Sequence, residues 1–451
     1  MKNKVLVLGL IATLLLAACS TGSTAAAEPA ADEGATAQDA AVVEKVEEPI
    51  EIEFWTLLSG QIGEKLAELI DQYNAENDNV TIINVNTGSY NAQQEAMLAA
   101  VAAGNFPVIS MIDYKNVPFY AANGWLEPIN NYASDDDMAD FIPGLLEDLT
   151  LNGNVYALPY NRSTQGLFYN KDLFVEAGLD PDNPPQTWDE VVEYGKAIEA
   201  LGDDYHGIYA IGNMQWYFEP MVYEWGGQFS DENCYFTFND EAGVAVAQFL
   251  QDMVYVDKVA VVPSILSGSW DQQAVEFVNG KVGMMRQSTA LNSFIQGVVD
   301  FNWGFTMYPE GPEGRVVTGG GANIAISAKA SDAEKQAAWD FVNWLTGTEN
   351  SAAFHMDTGY MPSRYSVQDL PEVQAFYAEN PTWLVSVGQL EYAKPTSCAV
   401  LNSPNWGTTI EAAFERIIIN EEDPQSVLDE VVIELNSSID EAKDAGTLIM
   451  K

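Results

Sequence analysis

From residue 50 onward, strand-like and helix-like periods take turns along the chain. Ile50-Glu51-Ile52-Glu53-Phe54-Trp55 alternates apolar and acidic residues and then turns wholly apolar, the period of a strand. Leu66, Leu69, Ile70 and Tyr73 then recur at helical spacing after Gly60 and Gly63, and Val80 to Val85 is again strand-like and rich in β-branched residues. Ala92 to Ala103, with Met97, Leu98 and Val101, reads as a helix stopped by Gly104, and Pro107 to Ile112 as a short apolar strand. Such a series needs crossover connections, so it predicts α/β units built on a largely parallel sheet. The alternation resumes later. Thr187 stands as an N-cap before Trp188-Asp189-Glu190, with the helix running through Val191, Tyr194 and Ile198 to Gly202. Ala242 to Tyr255 is a helix, Lys281 to Met285 a strand, and Asp332 to Thr346 a helix with Ala337, Ala338, Phe341, Val342 and Leu345 on its apolar side. Ile410 to Ala445 reads as two helices broken near Pro424.

The N-terminus carries a different kind of signal. Lys2 and Lys4 precede an unbroken apolar run from Val5 to Leu16, too short to span a bilayer as a stable helix. Leu16-Ala17-Ala18-Cys19 completes a lipobox, so residues 1–18 are expected to be a signal peptide and Cys19 the lipidated residue. An acyl anchor holds a protein on a membrane without crossing it, which places the chain outside the cytoplasm, at the cell surface or in a periplasm. Residues 19–49 are Ala, Thr, Ser, Glu and Asp with few large apolar groups, the composition of a disordered acidic tether. As a flexible coil it reaches roughly 30 Å. In the remainder, the length of a 451-residue chain exceeds what one core usually serves, so two lobes are expected.

Charge and motifs exclude several functions. A net charge of −47 makes nucleic acid a very poor partner, because binding it needs concentrated Lys and Arg. The same charge opposes docking on anionic lipid, confers solubility, and would suit a salt-rich habitat. Beyond Cys19 there are Cys234 and Cys398, which an exported protein is able to pair but whose spacing leaves the pairing open. There is no G-x-S-x-G elbow, H-E-x-x-H, C-x-x-C or phosphate-binding G-x-x-x-x-G-K-[ST] loop. His206 and His355 are the only histidines, so a His-based metal site is not expected, nor any cofactor. Asp135-Asp136-Asp137 lacks the alternating ligands of a calcium loop and reads as a solvated turn. A glycosidase needs only two carboxylates at the right separation, and among 66 acids nothing singles out a pair.

What the chain does carry is polar and aromatic residues at strand ends. Trp55 closes the first strand, Gly88-Ser89-Tyr90 follows the second, and Asp113-Tyr114 the third. Asn161-Arg162-Ser163-Thr164, Trp216, Gln287-Ser288 and the bare loop Gly319-Gly320-Gly321 continue the set. In open α/β sheets, ligands sit beyond the carboxyl ends of strands. Hydroxyls, an acid and flat rings suit a sugar or polyol, whose hydroxyls need partners and whose C–H faces stack on rings.

These residues lie within an ordered series of landmarks: Phe54-Trp55, Phe106-Pro107-Val108, Phe168-Tyr169-Asn170-Lys171-Asp172-Leu173-Phe174 running into Ala177-Gly178-Leu179-Asp180-Pro181, Pro185-Gln186-Thr187-Trp188-Asp189-Glu190, Phe277 to Met284, Gly320-Gly321-Ala322 and Thr358-Gly359-Tyr360-Met361-Pro362. The series, across about residues 50–445, resembles the family 1 extracellular solute-binding proteins of ABC importers, in the branch of glycerol-3-phosphate and sugar binders. The resemblance implies a periplasmic-binding-protein-like (type II) α/β fold. Two lobes, residues 50–161 plus 302–347 and residues 162–301 plus 348–451, would close about a hinge on a solute in the cleft. It implies a monomer, without catalytic residues, that passes its solute to a membrane permease. It places Tyr90, Ser163, Ser288, Gly321 and Tyr360 at ligand-contacting positions, with Trp216 and either Asp113 or Tyr114 lining the cleft; Trp55 and Trp406 complete the candidate set. One departure bears on the ligand. Glycerol-phosphate binders of this type carry an arginine before the last helices, whereas Ser397-Cys398-Ala399-Val400-Leu401-Asn402-Ser403-Pro404-Asn405-Trp406 has no basic residue. A phosphate normally needs a charge-assisted partner, which Arg162 and Arg286 would supply only if they point inward. A neutral sugar or oligosaccharide is therefore expected over glycerol-3-phosphate or a glycerophosphodiester. A secreted carbohydrate-active enzyme, or an adhesin or scaffold lipoprotein, are the remaining alternatives.

Overall fold

A computed structural model of the chain describes residues 49–262 and 270–449. The expected signal peptide, the lipidated Cys19 and the tether up to residue 48 lie outside the described residues. The described residues build around two main β-sheets. The first contains β1 (Ile50–Thr56), β2 (Val80–Asn86), β3 (Ile109–Asp113), β4 (Leu158–Ser163) and β9 (Gly320–Ile326), in the order β2-β1-β3-β9-β4. The second contains β5 (Gln165–Asn170), β6 (His206–Tyr209), β7 (Val282–Ser288) and β8 (Trp303–Met307), in the order β8-β5-β7-β6.

The opening strand–helix series forms as its periods dictate. Helices Gly60–Glu76 and Tyr90–Ala103 connect β1, β2 and β3, which pair in parallel with Ile52 opposite Ile82. Gly104 ends the second helix in the left-handed conformation. The expectation of a largely parallel sheet holds only here. β9 enters antiparallel to both β3 and β4, and in the second sheet only β6 and β7 pair in parallel. Strands contributed by returning segments have no local crossover helix to dictate their direction.

The chain passes from the first sheet to the second at Thr164, between β4 and β5. The later crossings differ from those expected at 302 and 347. Phe305 pairs with Phe168, so β8 belongs to the second sheet and the return comes only at Gly320. Phe354 and Tyr360 then pack in the first core, past the expected boundary.

Each sheet has its own core. The first buries Ile52, Phe54, Ile109, Ile324 and Phe341, and the second buries Trp188, Phe218, Phe229, Trp406 and Phe414. Thr187 and Glu190 form a capping box on helix Trp188–Glu199. That helix presses so closely on β6 that a Cβ at Gly207 would stand 2.6 Å from Gly195 Cα. The tail forms the two helices expected, Trp406–Ile418 and Pro424–Ala445, with the Phe414 ring edge-on to Phe218 at 5.0 Å. Asp135-Asp136-Asp137, expected as a turn, is the first turn of a short helix capped by Ser134. Cys234 and Cys398 are joined in a disulfide, their Cα atoms 5.3 Å apart. No helix among the described residues is long and apolar enough to cross a membrane.

Candidate ligand-binding site

The carboxyl ends of β3 and β4 and the start of β9 meet helix Met214–Glu224 of the second lobe. Two bare-backbone positions set the geometry, Gly321 by packing β9 on β4 and Gly320 by letting the helix come close. Gly321 has φ +95°, and a Cβ there would stand 1.8 Å from Asn161 O. A Cβ on Gly320 would stand 2.6 Å from the Trp216 ring and 2.9 Å from Ser163 Oγ. Without one, Trp216 lies against the glycine loop, and its indole N–H donates to Gly319 O at 3.0 Å.

Around this contact, polar groups converge from both lobes. Asn161 Nδ2 donates to Tyr90 Oη at 3.1 Å, while Asn161 Oδ1 accepts from the Ala322 amide at 3.2 Å. Burial pushes the hydroxyls of Tyr90 and Tyr360 up, so both remain protonated donors. Arg162 is buried with Nη1 donating to Asn323 Oδ1 at 3.0 Å and its guanidinium 5.1 Å from the Tyr114 ring centre. Burial lowers its pKa, and Asp148, Tyr114 and Asp113 pull the other way. Among the described residues, the Nε of Arg162 has no hydrogen-bond partner. Asp113 pairs with Lys115 Nζ at 3.4 Å, and that ammonium reaches across to Gln215 Oε1 at 3.3 Å. Both residues of the Asp113-Tyr114 turn thus face the junction. On the second lobe, Glu219 accepts from the Ser397 amide at 2.7 Å and from Tyr223 Oη at 3.2 Å, and burial raises its pKa to about 7.

Tyr90, Asp113, Tyr114, Arg162, Ser163, Trp216, Gly321 and Tyr360 are therefore brought together. Ser288 lies at the end of β7 opposite Gln165, where its Oγ accepts from the Ala290 amide at 3.2 Å and caps a turn. Three expected residues lie elsewhere. The Trp55 indole turns back along its strand and donates to Glu53 at 3.0 Å on the exposed face. Trp406 is a core residue: its ring stacks on Phe236 at 5.5 Å and its N–H donates to Gln215 O at 3.0 Å. Arg286 shares the Met284 side of β7, which faces the second core. Its guanidinium sits 3.8 Å from the Tyr217 ring centre, with Nη1 3.2 Å from Met221 Sδ, so it offers no anion contact in the junction. Asn161 belongs to the strand-end set read from the sequence without being an expected contact, and Gln215 and Glu219 stand outside the expected contacts altogether. Glu219 left one signal, as one of two acids, with Glu224, in an otherwise largely apolar helix.

Two α/β lobes meeting at a polar and aromatic junction define a protein that encloses a small solute. The family model for bacterial extracellular solute-binding proteins matches residues 68–382, more than half of the chain, and the chain belongs to that family. It is similar to the sn-glycerol-3-phosphate-binding periplasmic protein UgpB of Pectobacterium atrosepticum, 28% identical over 85% of this chain and 89% of that protein. The corresponding protein of Escherichia coli K12 is 27% identical, over 84% of this chain and 90% of its own. Among solved structures, UgpB from Mycobacterium tuberculosis in complex with glycerophosphocholine matches with a TM-score of 0.80 at 27% identity, covering 88% of this chain and 99% of that one. Maltose-bound MalE3 of Thermotoga maritima shares the fold, with a TM-score of 0.76 at 23% identity over 86% of this chain and 99% of that one. Solute-binding proteins of this kind bind a small molecule and deliver it to an ABC permease.

Proposed function

We propose that this chain captures a neutral sugar or oligosaccharide at the lobe junction and delivers it to its permease, held at the membrane by a lipid on Cys19. One observation carries the choice of solute: the charge at the junction is already balanced or negative. Arg162 is opposed by Asp148 and Asp113, Lys115 is paired with Asp113, and Glu219 adds a further acid. A phosphate dianion entering here would lose its hydration against a site with no spare positive charge. A sugar fits the same groups. The Tyr90 and Tyr360 hydroxyls, the Asn161 amide and the carboxylates offer donors and acceptors, and Trp216 offers a ring face. The lobes close on the solute, and the closed form is the one that docks.

A glycerophosphodiester is the second reading, favoured by the unpartnered Arg162 Nε close to carboxylates: such a solute carries a single negative charge, and its choline ester a cation as well. A thermal-shift panel of sugars, polyols, glycerol-3-phosphate and glycerophosphocholine tests the proposal. Ligand at 100 times its Kd adds about 2.7 kcal/mol of stability. A sugar should raise the midpoint and be recovered intact. Its recovery as a product would instead make the chain an enzyme, and a response to phosphodiesters alone would select the second reading.

A further inference from the structure

We propose that Lys115 of the first lobe and Gln215 of the second form a latch that holds the lobes together before any solute arrives, and that the missing side chain at Gly407 keeps the receiving end of the latch in place. The inference rests on the reading above that the lobes close on a solute, and not on which solute they take. Lys115 Nζ donates to Gln215 Oε1 at 3.3 Å, across the junction. A bond made only in the closed form shifts the population toward that form. While the open form predominates, every solute that binds the closed form gains by the same factor, whatever its chemistry.

Each end of the latch is held by its own lobe. On the first, Lys115 follows β3 directly, and Asp113 at the strand end holds it twice. The carboxylate pairs with Nζ at 3.4 Å and accepts from the Lys115 amide at 3.4 Å. The two side chains are only 22% and 13% exposed, so salt screens the pair weakly. On the second lobe, Gln215 opens helix Met214–Glu224, whose N-cap Asn213 is left-handed, with φ +52°, and supplies no side-chain cap. The first amides of a helix lack partners inside it. Helix Trp406–Ile418 supplies the partner: Glu411 Oε1 accepts from the Gln215 amide at 3.1 Å, and Trp406 Nε1 donates to Gln215 O at 3.0 Å. Gly407 lies one turn before Glu411 on the same face. A Cβ there would stand 2.4 Å from Gln215 Oε1 and 3.3 Å from Gln215 Cδ. The bare position lets the amide lie on the helix with its oxygen against Lys115. Glycine within a helix is less stable than alanine, and here the space it leaves is filled by the latch. Lys115 stays on Asp113, and the Gln215 backbone on its helix, when the lobes part as rigid bodies, so closing orders little afresh.

The test is small-angle scattering of the mature protein, stripped of carried-over solute and fitted as a mixture of open and closed forms. The set is wild type, Lys115→Met, Gln215→Met, the double variant and Gly407→Ala. The solute-free wild type should contain a closed fraction. Each single variant should lower its closed-to-open ratio about tenfold, the size expected of one hydrogen bond to a charged group. The double variant should fall no further than either substitution alone. Gly407→Ala should lower the ratio while its unfolding midpoint stays level or rises, because alanine favours the helix. Wild-type scattering in all the variants, a solute-free wild type that is wholly open, or additive losses in the double variant would overturn the latch. Adding each solute of the thermal-shift panel at saturation separates the two readings. Closure on a solute with no effect of the latch substitutions leaves solute capture standing, whereas a wild type that stays open with every solute removes the reading of closure itself.

Discussion

The Trp216 indole N–H donates to Gly319 O across the lobe junction, at 3.0 Å. This bond and the ring contact with Gly320 tie the second lobe to the glycine loop of the first at the point where a solute would be enclosed. The contact exists because residue 320 has no side chain.

A side chain at that position therefore displaces the ring. Gly320→Val is expected to push Trp216 out of the junction and weaken sugar binding by about tenfold or more, the loss of roughly 1.4 kcal/mol of stacking and hydrogen bonding. Titration calorimetry reads the loss directly. Wild-type affinity in the variant would show that the Trp216–Gly320 contact plays no part in binding.

Glu219 gives a pH signature. Its native pKa, raised by burial to about 7, lies above the usual carboxylate value of 4.5. Between those values the native state keeps a proton that the unfolded chain has lost. Stability from this group is therefore full below pH 4.5, falls as pH rises through the window, and is flat above about 7. Glu219→Gln removes the slope, so the variant should gain on the wild type across that window by up to about 3 kcal/mol. Denaturant titrations at several pH values measure the difference, and a difference independent of pH contradicts the assignment.

His355 behaves in the opposite sense. Burial lowers its pKa to about 4; its Nε2 accepts from Tyr377 Oη at 2.9 Å, and Nδ1–H donates to Tyr360 O. The stability it contributes is complete above pH 6.5 and is lost as pH falls toward 4. Nitrogen NMR of the imidazole should show the Nδ1–H tautomer and no titration near pH 6.5, whereas an ordinary titration there would mean that the ring is not buried as described.

The disulfide has a measurable weight. Replacing Cys234 and Cys398 together by serine is expected to cost about 2–4 kcal/mol. Because Ser397 donates its amide to Glu219, the same change should also weaken ligand binding. Unchanged stability and unchanged affinity in the double variant would deny the bridge its role in holding Ser397 against Glu219.

The outcome for individual residues shows which signals the sequence carries. β1, β2, β3 and the two helices between them were legible because local period and capping dictate them; Gly104 and Thr187 act as expected. The places where the chain changes sheets were less so. β8 pairs with β5 across more than a hundred residues, and nothing local encodes that partner. Positions on strand ends and in the glycine loop reach the lobe junction because backbone geometry restricts them, as at Gly321. Trp406 and Arg286 misled for one reason: an aromatic or a cation near a ligand loop looks the same in sequence whether it faces the cleft or the core. Phe236 and Tyr217 decide the matter, and both lie far away along the chain. Glu219 was invisible because its importance comes from burial, which only the packed helix reveals.

The central claim is that the junction takes a neutral sugar and not a phosphate. Its most direct test is calorimetric titration of the mature protein with neutral oligosaccharides, sn-glycerol-3-phosphate and glycerophosphocholine under one buffer. The account predicts saturable, one-to-one binding of a sugar and no heat of binding from glycerol-3-phosphate. Saturable binding of glycerol-3-phosphate with no response to any sugar would contradict it.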